Sequence, residues 1–149
     1  SENIIRDLKP DIIIIIAGNL IIKKNILEIP KFGIINAHSS LLPKYRGLMP
    51  TFWVLRNNEK ETGVTVYKLT EGIDDGPIIN YSKIKLDNKI THSELIIKSK
   101  EIANELLIES LMLIKLGKFK QMNTKKFKYY GVPSFEDTKH FYKIGKSFF

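Results

Sequence analysis

Two side chains able to manage charge, Asn36 and His38, stand one residue apart in "INAHSSLLPKYRG" (Ile35–Gly47). In an extended segment, alternate residues project to the same side, so amide and imidazole fall together with Ala37 opposite. An amide N–H can hydrogen-bond an oxygen that is gaining negative charge. An imidazole can do the same or carry a proton. Taken alone, Asn-x-His at a strand end is more often ordinary loop hydrogen bonding. A carboxylate turn changes that balance. "EGIDDGPI" (Glu71–Ile78) follows the next strand, and a return of Asp74 into the same crevice would complete a set of amide, imidazole and carboxylate. The carboxylate would orient the imidazole and stabilise its protonated form, or accept a proton through water.

Other chemistries find little support. The chain has no Cys, which excludes disulfides, thiolate zinc sites and cysteine nucleophiles, and fits a reduced, cytoplasmic location. Ser39 and Ser40 lack the G-x-S-x-G setting of a serine nucleophile. His38, His92 and His140 have no metal-ligand spacing, so no metal site is expected, and no glycine pattern for a nucleotide cradle occurs. The longest apolar run, Ile12–Gly18, is far shorter than the roughly 20 residues that span a bilayer, so no membrane partner is expected. No signal-peptide pattern opens the chain.

The elements that must position these residues read as an α/β domain. "DLKPDIIIIIAGNL" gives the end of a helix and then a β-branched run, Ile12–Ile16, which has the continuous apolar pattern of a strand covered on both faces. "KKNILEIP" is a short helical turn stopped by Pro30, and "FGIINA" is a second buried strand, so the two form a βαβ unit. Asn36 and His38 then sit at a strand exit, where open α/β sheets keep their chemistry. "PTFWVLRNN" is a helix with Pro50 at its start, and "GVTVYKL" is an alternating strand. "PIINYSKIKL" is a further strand expected to pair antiparallel with it. Thr91–Leu116 is the strongest helix, opened by the capping box Thr91-x-x-Glu94 and ended by Gly117. Ser134 is placed to cap a last short helix.

The net charge of +8 is unevenly spread. Residues 1–114 hold 15 Lys and Arg against 14 Asp and Glu, whereas residues 115–149 hold 9 Lys against only Glu136 and Asp137. A solvated basic extension accounts for this. Its apolar residues, Phe119, Phe127, Tyr129, Tyr130, Val132 and Phe135, give it the means to pack. The organisation expected is a core over 1–116 and a basic C-terminal extension over 117–149.

"NAHSSLLPKYRGLMP…FWVL", followed by "ETGVTVYKL" and "EGIDDGPII", resembles the folate-dependent formyltransferases, over roughly residues 8–116. That family is marked by Asn-x-His-x-Ser-Leu-Leu-Pro and a later Asp-x-Gly signature, both present here in order. The resemblance implies a Rossmann-like core with a mostly parallel sheet, an antiparallel strand pair and flanking helices. It implies a catalytic triad of Asn36, His38 and Asp74, moving a formyl group from 10-formyltetrahydrofolate to a primary amine. Asn36 and protonated His38 would steady the oxyanion while Asp74 holds His38. The folate-lining segments of the family fall on Leu20, Ile21 and Ile22, on the loop Ser40, Leu41, Leu42 and Pro43, and on the turn Thr70, Glu71, Gly72 and Ile73. For the apolar members of this set a plain core role competes with folate contact.

Arg46-Gly47 with Pro50 and Trp53 is closer to the amino-sugar and methionyl-tRNA branches of the family than to the glycinamide ribonucleotide enzymes. The short segment after the long helix favours a small-molecule acceptor, an amino sugar on a nucleotide carrier, with Arg46 meeting its phosphate or carboxylate. The alternatives are the catalytic portion of a methionyl-tRNA formyltransferase, or a non-catalytic module whose "KFKQMNTKKFKYYG" stretch binds nucleic acid. Family members carry further strands ahead of "KPDIIIIIAG". Their lack leaves Ile12–Ile16 at an uncovered, incomplete sheet edge. A longer chain upstream of Ser1 is the first expectation, with strands from a partner chain in a homodimer, or a reduced core, as the others.

Overall fold

The computed structural model describes residues 2–16, 18, 21–120 and 127–149. Its centre is a four-stranded sheet ordered β1 (Ile13–Ile16), β2 (Ile34–His38), β4 (Glu61–Lys68), β5 (Ile78–Lys85). A short helix α1 (Glu2–Leu8) precedes β1, and α2 (Lys24–Leu27) joins β1 to β2, which pair in parallel from Ile13↔Ile34 to Ile16↔Ala37. This is the expected βαβ unit. β4 and β5 form the expected antiparallel pair.

The expected mixed α/β sheet is present: β1–β2 is its parallel pair among the described residues, and β2–β4 is antiparallel with Asn36 opposite Tyr67 and His38 opposite Thr65. Residues 39–60 leave the sheet and re-enter it at the same end, so β4 must run back along β2. Within that connection lie a two-residue strand β3 (Arg46–Gly47) and the helix α3 (Pro50–Arg56), with Pro50 in its first turn as expected. The proline has no N–H to leave unpaired there.

Helix α4 (His92–Lys115) lies over β4 and β5. Thr91 caps it in a complete capping box with Glu94, and its first N–H groups find further partners in the carbonyls of Ser147 and Phe148, both at 2.9 Å. These bonds satisfy donors that a helix start leaves orphaned. They also tie the C-terminus to the body of the fold. Helix α5 (Phe135–Lys143) is capped by Ser134 with Asp137 and packs on α3.

One core cluster runs through these elements, including Ile35, Ala37, Phe52, Val64, Val66, Leu95, Leu106 and Phe141. The basic segment after Gly117 thus packs, though mostly through residues other than those singled out from sequence. Phe141 is fully buried and stacks on Phe52 at 4.9 Å, and Phe148 joins them. Tyr130 is partly buried beside Trp53, while Phe119, Phe127, Tyr129, Val132 and Phe135 stay largely exposed. A strand β6 (Tyr129–Tyr130) pairs in parallel with β3, a contact the sequence did not announce. No helix among the described residues is long and apolar enough to cross a membrane.

Candidate active site

All five residues of β2 are buried, and their alternation divides its two faces as expected. Ile35 and Ala37 belong to the core cluster, while Asn36 and His38 line a cavity of about 250 Å³. The third wall is the turn between β4 and β5. Lys68 N–H bonds the Pro77 carbonyl at 2.9 Å, closing an excursion that folds over the sheet and brings Thr70, Gly72, Ile73 and Asp74 to the same cavity. The turn needs its glycine at 76, because a Cβ there would run into the Lys68 carbonyl oxygen. Asp74 itself takes a left-handed backbone, φ 46°, a region that Asp enters more readily than most residues.

Three groups hold the Asp74 carboxylate. The Tyr67 hydroxyl donates to Oδ1 at 2.5 Å, the Gly47 backbone N–H donates to Oδ2 at 2.6 Å, and His38 Nδ1 lies 3.7 Å from Oδ2. The last is too long for a hydrogen bond but close enough for a charge pair once the ring is protonated. On its other side, His38 Nε2 is 2.8 Å from the Tyr45 carbonyl oxygen. A carbonyl only accepts, so Nε2 carries the proton and the neutral ring turns its Nδ1 lone pair toward Asp74. His38 is therefore oriented to take up and release a proton on the cavity side.

Asn36 Nδ2 donates to the Tyr67 hydroxyl at 3.2 Å, while its Oδ1 is buried and has no partner among the described residues. Such an orphan is uncommon in a folded protein. Burial, reinforced by the Asp74 charge, pushes the Tyr67 phenol well above its ordinary range, so it keeps its proton.

The structure brings Asn36, His38 and Asp74 together, and with them Ile21, Ile22, Thr70, Gly72 and Ile73. Leu20 lies outside the described residues. Glu71 and the loop Ser40, Leu41, Leu42 and Pro43 do not line this cavity. That loop is bound into the fold instead. Ser40 is fully buried, its hydroxyl donates to the Lys44 carbonyl at 2.8 Å, and Thr65 Oγ1 bridges the Ser40 carbonyl and the Leu42 N–H. Arg46 turns its guanidinium onto the Ile73 carbonyl, with Nε at 3.0 Å and Nη2 at 2.5 Å, bracing the Asp74 turn. Reading the sequence missed Tyr67, Gly47 and Tyr129, which also line the cavity. The signal for Tyr67 was a polar-tipped ring in the alternating strand that leads into the Asp74 turn. Among the described residues, no cluster of His, Asp or Glu has the composition to hold a metal ion.

A family profile described as "Formyl transferase" matches residues 2–111. The chain belongs to the formyl transferase family. Among curated relatives, the methionyl-tRNA formyltransferase of Clostridioides difficile (strain 630) is 49% identical over 113 residues, 76% of this chain and 37% of that protein. The chain thus spans little more than a third of the length of such relatives. Among solved structures, the formyltransferase PseJ from Anoxybacillus kamchatkensis, in complex with UDP-4,6-dideoxy-4-formamido-L-AltNAc and tetrahydrofolate, superposes with a TM-score of 0.73 at 28% identity. That match covers 89% of this chain and 69% of that one. The N-formyltransferase from Helicobacter canadensis, in complex with folinic acid and dTDP-3-aminofucose, gives 0.68 at 26% identity over 76% of this chain and 42% of that one. The chain shares its mixed α/β fold with these solved structures.

Proposed function

We propose that this chain carries the catalytic residues for moving a formyl group from 10-formyltetrahydrofolate to a primary amine. The observation that supports this most is the convergence of Asn36 and His38, from one face of β2, with Asp74, from a turn far along the chain. The cavity suits the head of the donor. Ile15, Ile21, Ile22 and Leu69 give it apolar walls for a flat ring system, with the polar groups of Asn36, His38 and Asp74 beside them. Small-molecule sites combine these features, apolar walls with a few placed polar groups. When bound, the donor supplies an activated formyl carbon.

The chain's own residues do the rest. The free N–H of Asn36 stabilises negative charge growing on the formyl oxygen. His38 Nδ1 takes the proton that the attacking amine loses, and the imidazolium so formed, stabilised by the Asp74 carboxylate, steadies the charged oxygen and then gives that proton to the folate nitrogen as its bond to the formyl carbon breaks. Gly47 N–H and Tyr67 keep that carboxylate aimed at the ring. Asp74→Asn keeps the shape and removes the charge, so transfer should fall by at least about a hundredfold, a size typical of acid–base groups. Labelled formyl transfer at saturating donor measures it, and wild-type turnover in that variant would falsify these roles.

Two acceptor readings each have an observation behind them. Identity of 49% to a methionyl-tRNA formyltransferase favours aminoacyl-tRNA. Structural likeness to PseJ over 89% of the chain reaches into the C-terminal segment and favours an amino sugar on a nucleotide carrier, the acceptor expected from the sequence. Offering charged initiator tRNA beside nucleotide-linked amino sugars separates them, because only the true acceptor should gain label.

A further inference from the structure

Formyl transfer as assigned above gives Tyr67 no chemical task of its own, yet its hydroxyl occupies the middle of the site. The residue is only 1% exposed and lies directly opposite Asn36 in the β2–β4 register. For packing alone, a phenylalanine would serve at this position. A buried phenol oxygen must instead find partners, and this one has two.

The direction of those bonds follows from proton counting. A phenol has one proton, and a carboxylate can only accept. The proton therefore goes to Asp74 Oδ1, at 2.5 Å, and the remaining lone pairs face Asn36. Against lone pairs the amide must present Nδ2, found at 3.2 Å, and its Oδ1 is forced to the other side. Were the phenol proton released from Asp74, it could bond Oδ1 instead, and the amide could turn over. Burial keeps the phenol protonated, so this choice is always between two acceptors.

We propose that Tyr67 is a positioning residue that fixes which end of the Asn36 amide meets the reacting groups, and that it ties this choice to the charge on Asp74. The inference rests on the formyl-transfer reading of the site. Asn36 and Asp74 make no direct hydrogen bond with each other, so their coupling runs through one phenol oxygen.

The test has a structural arm and a kinetic arm. In ¹⁵N-labelled protein, the Asn36 side-chain amide signals should shift when Asp74 is changed to Asn. In the Tyr67→Phe background, the same Asp74→Asn change should leave them in place. Tyr67→Phe should also lower kcat by about tenfold to a hundredfold, the scale of a misplaced catalytic group, with KM for the donor unchanged. Equal response of the Asn36 signals in both backgrounds overturns the proposal. So does a kcat loss without loss of that coupling, which would leave Tyr67 a packing residue. Should Tyr67→Phe fail to fold, 3-fluorotyrosine at position 67 keeps the shape with a more acidic phenol, and unmoved Asn36 signals would overturn the idea equally. If the protein transfers no formyl group to any amine offered, the spectroscopic arm still decides the role of Tyr67. That failure belongs to the functional reading alone.

Discussion

Strands β1 and β2 lie side by side in parallel register, and both are rich in isoleucine. From the sequence both read as buried strands. In the fold they differ. Every residue of β2 is buried, whereas β1 alternates, with Ile14 42% and Ile16 52% exposed. The difference is the number of neighbours. β2 has β1 on one edge and β4 on the other, the core cluster on one face and the Asp74 turn over the other. Among the described residues, β1 has β2 alone. Apolar composition gives a strand the capacity for burial, and its neighbours realise it. The proposed chemistry follows the same division. Asn36 and His38 stand on the strand held from all sides, which is where a site needs rigid support. β1 contributes one apolar wall residue, Ile15.

The sharpest way to break this contrast is at the chemistry. His38→Ala should cost about 10²–10⁴ in kcat, the range for a lost acid–base group, while Ile14→Ala on the neighbouring strand leaves kcat unchanged. Comparable losses from both would mean that β2 is no special platform. Stability gives the next largest difference. Ile35, with no exposed surface, should lose about 2–5 kcal/mol on truncation to alanine, through lost burial and a cavity. Ile14→Ala should stay within about 0.5 kcal/mol, as partly exposed positions usually do. Urea melts of the two variants compare them directly, and a β1 loss equal to the β2 loss would show that something in solution covers the β1 edge. Smaller again is the end of α4, where Thr91→Ala should cost about 1 kcal/mol as the capping box is lost.

What could be read from the sequence divides along local and distant lines. The capping box at Thr91, the cap at Ser134, the start of α3 at Pro50 and the shared side of Asn36 and His38 each depend on a few adjacent residues. The turn that returns Asp74 was visible because Asp, Gly and Pro cluster there. The family resemblance supplied the pairing of that turn with Asn-x-His. The register that sets Tyr67 opposite Asn36 was not legible, because antiparallel pairing of β2 with β4 depends on how residues 39–60 close. Nor was the β3–β6 pairing, which joins Arg46 to Tyr129 across most of the chain. Arg46 is expected from its charge to face an acceptor's anion, and its guanidinium also meets the Ile73 backbone carbonyl. Side-chain type announced a charge there, and only tertiary structure says what it meets.

The same contrast between covered and open positions extends to a histidine outside the site. His92 opens α4 and is 7% exposed, with Nε2 3.0 Å from Thr51 Oγ1 and with Phe52 and Phe148 edge-on around the ring. Burial lowers its pKa below the ordinary 6.5, since the charged ring would lose its water among these groups. The unfolded chain therefore binds more protons than the folded one as pH falls below 6.5. The stability linked to a neutral His92 is complete above that value and is lost progressively on the acid side. Urea midpoints measured from pH 7.5 to 5.5 should decline in the wild type, and the decline should be shallower in His92→Gln. An unchanged slope would mean that the ring stays solvated enough to protonate in place. In that case the packing of Phe148 over α4 is looser than its contacts imply, and the C-terminal segment belongs with β1 among the open parts of the fold.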